Sequence, residues 1–235
     1  MFANRAEAGE RLADRVLQEL AAQAPGGGSG TAPLVLALPR GGVPVALPVA
    51  RRLNAPLDLV LVRKIGVPGA PELAAGAVME GAEGPQAVFN DDVLALHGLT
   101  PDDLHDSITR LRAEIADRRA RYLQGRAPIP VNGRQVVVVD DGIATGATMR
   151  AALAGLGGQG AAEVILAVPV APPAALARLS GVCDRVICLE SPLHFQAVGQ
   201  FYRDFTQVSD DEVIATLQTA LPLRDPDDND RNERK

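Results

Sequence analysis

Tryptophan is absent and aromatic residues make up only 3% of the 235 positions, so a stacking platform for single-stranded nucleic acid has little to be built from. Basic residues are outnumbered, 23 Lys and Arg against 29 Asp and Glu, and the formal charge of -6 argues against the broad basic face that tracks a phosphate backbone. A local cationic pocket stays open. Cys183 and Cys188 are too few for a disulfide framework or a zinc site, and they read as reduced thiols in or near the core. His97, His105 and His194 show no metal-ligand spacing. No apolar stretch is long and helical enough to span a bilayer, and the N-terminus MFANRAEAGERLADRV carries charges throughout, without the apolar run of a secretory signal. A cytoplasmic enzyme is the default expectation, with no nucleic-acid or membrane partner and a homodimer left open.

What is present is apolar mass, at 47% hydrophobic residues enough for the core of one large domain. From Asn4 to about Gln23, residues Ala8, Leu12, Val16, Leu17 and Leu20 recur at helical spacing. PGGGSG (25–30) then reads as a connector or exposed loop. LVLAL (34–38) predicts a strand, PRGG (39–42) a turn and VPVALPVARRLN a helix; LDLVLVRK (57–64) predicts the second strand. The Gly- and Pro-rich segment 66–89 suits a mobile hairpin. Thr100, Pro101 and Asp103 start a long helix through TPDDLHDSITRLRAEIADRRARYL, whose charges read as a solvated face.

Beyond it lie the strand QVVVVD, a helix over 147–156, a strand over 164–170, a Pro-initiated helix over 172–179 and a strand over 185–190. Strands alternating with helices predict an α/β fold, an open and mainly parallel sheet with helices on both faces. Segment 194–205 returns as a hood over the sheet edge, and SDDEVIATLQTAL forms a capped terminal helix. The expectation is a single domain over residues 1–223, with its core at about 31–190, a hood built from the N-terminal and 191–223 segments, and a disordered charged tail over 224–235.

The stretch VVVVDDGIATGATM (136–149) carries the chemistry. Its valines read as a strand covered on both faces, so Asp140 and Asp141 stand where the crevice of a parallel sheet is expected. Two carboxylates accept hydrogen bonds, and the vicinal hydroxyls of a ribose donate two at matching separation. GIATGAT then offers backbone N–H groups and Thr hydroxyls at a helix N-terminus, a place for a phosphate dianion. The helix dipole contributes only about 0.3–1 kcal/mol there, so the amides must do most of the holding. One element thus suits both ends of a ribose 5-phosphate; the plain alternative is an ordinary strand-to-helix turn.

The strand, acid pair and Thr-Gly-x-Thr loop resemble the phosphoribosyl pyrophosphate motif of type I phosphoribosyltransferases, and the element order from Leu34 to about Glu190 resembles that family's five-stranded parallel core. The resemblance extends to a bacterial group described as predicted phosphoribosyltransferases. It implies transfer of a 5-phosphoribosyl group to a nitrogenous base with release of pyrophosphate, and Mg2+ as cofactor, held by Asp140 and Asp141 directly or through water. Ala144, Thr145, Gly146, Ala147 and Thr148 would bind the 5-phosphate. Arg40, Gly41 and Gly42 would bind pyrophosphate, in a loop where the family implies a non-proline cis peptide near Pro39 to Gly41. Lys64 joins Asp140, Asp141 and Arg40 as an expected catalytic group, with Arg63 beside it at the end of the second strand on the same sheet edge; the plain alternative for these basic residues is exposure to solvent. Glu72 is either a lid carboxylate or a surface acid. Phe195, Phe201 or Tyr202 either stack on the base or fill the core. One departure concerns the base: 6-oxopurine enzymes carry an acid immediately before the Thr-Gly, and here that position is Ala144, which fits an adenine-type loop although the hood does not match the adenine enzymes. A non-catalytic sensor of the same ligand is the alternative function.

Overall fold

The computed structural model describes residues 1–22, 32–81 and 84–220. The connector expected at 25–30 and the tail expected at 224–235 lie outside them. Five strands form one parallel sheet: β1 (Leu34–Ala37), β2 (Leu57–Leu59), β6 (Gln135–Val139), β7 (Glu163–Val170) and β8 (Arg185–Glu190), in the order β2-β1-β6-β7-β8. A three-stranded antiparallel sheet, β3 (Val62–Val67), β4 (Ala70–Met79) and β5 (Gln86–Phe89), lies between β2 and the middle of the chain. The α/β class, the parallel sheet and the hairpin expected from sequence are therefore present.

The valine run explains the layering. Val137 and Val139 enter one apolar cluster with Val35, Ala37 and Ile165, while Val136 and Val138 enter another with Leu34, Leu36 and Leu166. Helices α1 (Arg5–Ala21), α2 (Gly42–Leu53), α4 (His105–Leu123) and α7 (Asp210–Thr219) cover the first face. Helices α5 (Ala147–Gly158) and α6 (Pro173–Leu179) cover the second. A strand buried on both sides needs no polar alternation, and burying each valine contributes about 1.5–3 kcal/mol.

Local signals set the helix starts. Asn4 caps α1 by accepting from the Glu7 amide at 3.0 Å, and Ser209 with Glu212 forms a capping box on α7. Thr100 and Asp103 form the expected box, but on a 3-10 turn (Pro101–Leu104) that precedes α4. A short helix α3 (Asp91–His97), not anticipated from sequence, fills the space before it.

LDLVLVRK is not one strand. β2 ends at Leu59, the Val60 amide makes one more bond to the Ala37 carbonyl at 3.0 Å, and the chain then turns into the antiparallel sheet. Val60, Leu61 and Val62 are all buried, so hydrophobicity runs unbroken across the bend and conceals it. Nor is the charged face of α4 wholly solvated. Arg119 is buried, donating to Asp58 Oδ2 of β2 at 3.1 Å and to Glu80 Oε2, just past β4, at 2.7 Å. The bridge ties the two sheets and α4 at one point. Among the described residues no helix is long and apolar enough to cross a membrane.

Breaking a buried pair by removing one partner leaves uncompensated charge and costs about 3–5 kcal/mol. Arg119→Met is expected to destabilise the fold by that amount in urea denaturation at pH 7. Burial pushes the Glu80 carboxyl above its usual range, against the pull of Arg119, so Glu80 takes up a proton readily on acidification. The deficit of the variant should therefore narrow as pH is lowered from 7 towards 5.

Candidate functional site

The strand order reverses direction between β1 and β6, and ligand crevices of open parallel sheets form at such a switch. The Leu38 amide donates to the Val139 carbonyl at 2.9 Å, carrying the β1–β6 pairing to the mouth of both loops. From β1 comes Pro39–Arg40–Gly41, whose Pro39–Arg40 peptide is cis, as expected. From β6 comes Asp140–Asp141. A Cβ on Gly41 would lie 2.0 Å from Asp141 Oδ2, and one on Gly42 would lie 2.6 Å from the Val139 carbonyl oxygen. Two glycines are needed here because the Asp141 carboxylate and the backbone of Val139 and Asp140 occupy the room their side chains would take. The Gly42 amide itself donates to the Leu38 carbonyl at 3.0 Å, closing the turn rather than facing the crevice.

The acid pair is held from several sides. Asp140 Oδ1 accepts the Asp141 amide at 2.8 Å. Asp141 Oδ2 accepts Nε of Arg5 at 2.8 Å, and its backbone carbonyl accepts the Tyr202 hydroxyl at 2.6 Å. Burial, reinforced by the neighbouring Asp141 charge, pushes the Asp140 carboxyl well above the usual carboxylate range. Burial raises Asp141 as well, and the Arg5 guanidinium pulls it back. The pair therefore concentrates negative charge that the fold alone does not neutralise, in a set of hard oxygen donors suited to Mg2+ shared with a ligand's own oxygens.

The next turn is pinned at its start by the Ile143 amide on the Val170 carbonyl, at 2.9 Å. Gly146 has φ 78°, a left-handed conformation that frees the chain to enter α5. Among the described residues, the amides of Ala144, Thr145, Gly146, Ala147 and Thr148 make no hydrogen bond. Arg178 of α6 donates to the Thr145 carbonyl at 3.2 Å, so this peptide's N–H points the other way. A cleft of about 530 Å³ runs between this turn and the antiparallel sheet, lined by Thr145, Gly146, Ala147, Gly76, Phe89 and Arg150 among others.

Other expected site residues are placed differently. Arg40 turns towards α7, 3.6 Å from Asp210, which also accepts from Arg121 and from the Tyr122 hydroxyl, each at 2.8 Å. Arg63 and Lys64 do not end a strand of the parallel sheet; they belong to β3, on opposite faces. Arg63 lies 3.7 Å from Glu114. Lys64 reaches the fully exposed Glu72, 3.6 Å from its carboxylate and 3.2 Å from its carbonyl. Tyr202 is buried against Phe2 and Phe205, with ring centroids 5.3 and 5.0 Å away, so its ring fills the hood core. Phe195 and Phe201 stack on each other at 5.3 Å and are half-buried. Cys183 and Cys188 are free, half-buried thiols. No group of three or more His, Cys, Asp or Glu able to hold a metal occurs among the described residues.

Sequence reasoning missed Arg5, Arg178 and the Tyr202 hydroxyl. Arg5 reads only as the start of an amphipathic helix, and nothing local connects it to a carboxylate 136 positions away.

Residues 5–206 match the family described as "Phosphoribosyl transferase domain". The chain is 49% identical over 221 residues to two proteins of Mycobacterium tuberculosis, named "Putative phosphoribosyl transferase Rv0571c" in strain H37Rv and "Putative phosphoribosyl transferase MT0597" in strain CDC 1551. The match covers 94% of this chain and 47% of each of theirs, so the chain spans about half the length of these relatives. The crystal structure of TT1426 from Thermus thermophilus superposes with a TM-score of 0.80 at 42% identity, covering 93% of this chain and 98% of that one.

Because the folded-state carboxyl of Asp140 sits above its unfolded value, its ionisation opposes folding, and stability is lost as pH rises through the folded value. Asp140→Asn, which keeps an acceptor for the Asp141 amide, is expected to melt higher than the wild type at pH 7.5, with the gap closing near pH 3.5. Gly41→Ala is expected to destabilise by about 1–3 kcal/mol in chemical denaturation, because Asp141 must move.

Proposed function

The chain belongs to the phosphoribosyl transferase family, and on that premise we propose that it binds phosphoribosyl pyrophosphate with Mg2+ and transfers the 5-phosphoribosyl group to a nitrogenous base, releasing pyrophosphate. The observation that carries this reading is one continuous turn with two buried carboxylates at its start and, at its end, five amides without a partner among the described residues. Ribose hydroxyls meet Asp140 and Asp141. The 5-phosphate meets the amides of Ala144, Thr145, Gly146, Ala147 and Thr148, helped by the two Thr hydroxyls.

Pyrophosphate would lie along Arg40–Gly41–Gly42, which requires Arg40 to leave Asp210. Lys64, Arg63 and Glu72 belong to the antiparallel sheet, and a role at the reacting sugar would require that sheet to close over the acid pair. The acid pair fits Mg2+ as one or two carboxylates joined to substrate oxygens. The ion would neutralise charge on the leaving pyrophosphate. The protein's own contribution is positioning: it fixes the sugar at both ends while the base attacks the anomeric carbon with inversion, through an oxocarbenium-like transition state. The acceptor is a nitrogen heterocycle, and the site carries no acid at Ala144 to select a 6-oxopurine.

Two measurements test this. Calorimetry with Mg2+ should show phosphoribosyl pyrophosphate binding that weakens about a hundredfold or more in Asp140→Ala plus Asp141→Ala, since two hydrogen bonds to charged groups are lost. Unchanged affinity would remove the site assignment. A pyrophosphate-release assay with a panel of purines, pyrimidines and other nitrogen heterocycles separates turnover from sensing: binding without release from any of them identifies a sensor.

A further inference from the structure

None of the cations that the sequence offered to this site touches the acid pair. Arg40 faces Asp210, Arg63 faces Glu114 and Lys64 faces Glu72. The guanidinium that does touch it is Arg5, at the start of α1. We propose that Arg5 is a binding residue for the pyrophosphate group of the substrate, an inference that rests on the function proposed above.

The position of Arg5 follows from one atom. Asp141 Oδ2 is 2.8 Å from Arg5 Nε and 2.0 Å from the point where a Gly41 Cβ would stand. Arg5 therefore lies at the seam between the PRGG loop and the carboxylates, where the bond between the anomeric carbon and its leaving oxygen would sit. Two further contacts fix it without help from a ligand: Nη1 donates to the Thr206 carbonyl at 2.8 Å, and the guanidinium carbon lies 3.9 Å from the centre of the Phe205 ring. The side chain is 11% exposed, and Nη2 has no partner among the described residues.

A planar fork can hold Asp141 and Thr206 and still present its remaining edge to a diphosphate, which a Lys ammonium cannot do with the same geometry. The start of α1 is itself anchored, by the Phe2 amide on the Phe201 carbonyl at 2.7 Å and the Arg203 amide on the Phe2 carbonyl at 2.9 Å. A cation held this way needs little reordering when the ligand arrives, so its hydrogen bonds are not offset by an ordering cost.

Calorimetry in the presence of Mg2+ tests the assignment with three probes: phosphoribosyl pyrophosphate, inorganic pyrophosphate and ribose 5-phosphate. In Arg5→Gln the loss of affinity for the two diphosphates should exceed the loss for ribose 5-phosphate by about tenfold or more. Arg5→Lys, which keeps the charge without the fork, should recover part of it and covers the case in which the glutamine variant folds poorly. Equal losses for all three probes would show Arg5 to be only a prop for the hood, and unchanged affinities would show it to be only the counter-ion of Asp141; either result overturns the proposal. A wild-type chain that binds no phosphoribosyl pyrophosphate overturns the functional reading beneath it, whereas normal wild-type binding with an indifferent Arg5→Gln overturns this inference alone.

Discussion

With a carboxylate oxygen of Asp141 standing where a Gly41 side chain would begin, the two loops at the head of the sheet are in contact through backbone and carboxylate alone. That contact requires β1 and β6 to run side by side in register up to the Leu38–Val139 bond. It also requires both strands to be rigid, which the double burial of the valine run provides. Every other part of the site is placed relative to this junction. The amides of the next turn follow on from the acids, α2 starts one residue beyond the glycine, and Arg5 meets the junction from above.

The junction concentrates charge in a place where the fold gains nothing from it. Two neighbouring carboxylates lose much of their hydration, and among the described residues Asp141 is ion-paired, with Arg5, while Asp140 is not. Such an arrangement opposes folding, and a ligand that brought compensating charge and hydrogen-bond donors would relieve that cost. The bulk of the molecule, with its two apolar layers, supplies the stability that the head of the sheet forgoes.

Much of this was legible because the signals were local. A β-branched run ending in DD, a PRGG turn opening a helix, and a Thr-Pro-Asp-Asp start each encode their structure within a few residues, and the parallel sheet, the loops and the capping box stand where those patterns place them. The bend inside LDLVLVRK left no mark, because all three residues at the turn are buried whichever sheet they join. Lys64 and Arg63 were misplaced in consequence. Arg119 and Arg5 were hidden for another reason: each sits on a charged or amphipathic helix, and its acidic partners are 39 or more positions away. Only the assembled fold distinguishes a buried arginine from its solvated neighbours.

The Arg119 bridge has a mechanical consequence. It fastens the antiparallel sheet to the parallel one at Glu80, immediately after β4, while Glu72 stands eight residues back along the same strand and points into solvent. At about 3.3 Å per residue, those positions are roughly 26 Å apart. Between the two, Ile65, Val67, Ala75 and Val78 seat the antiparallel sheet in the first apolar layer, so Arg119 is a polar pin at one end of an apolar seat, and Glu72 with its partner Lys64 stands at the end that carries no such pin among the described residues.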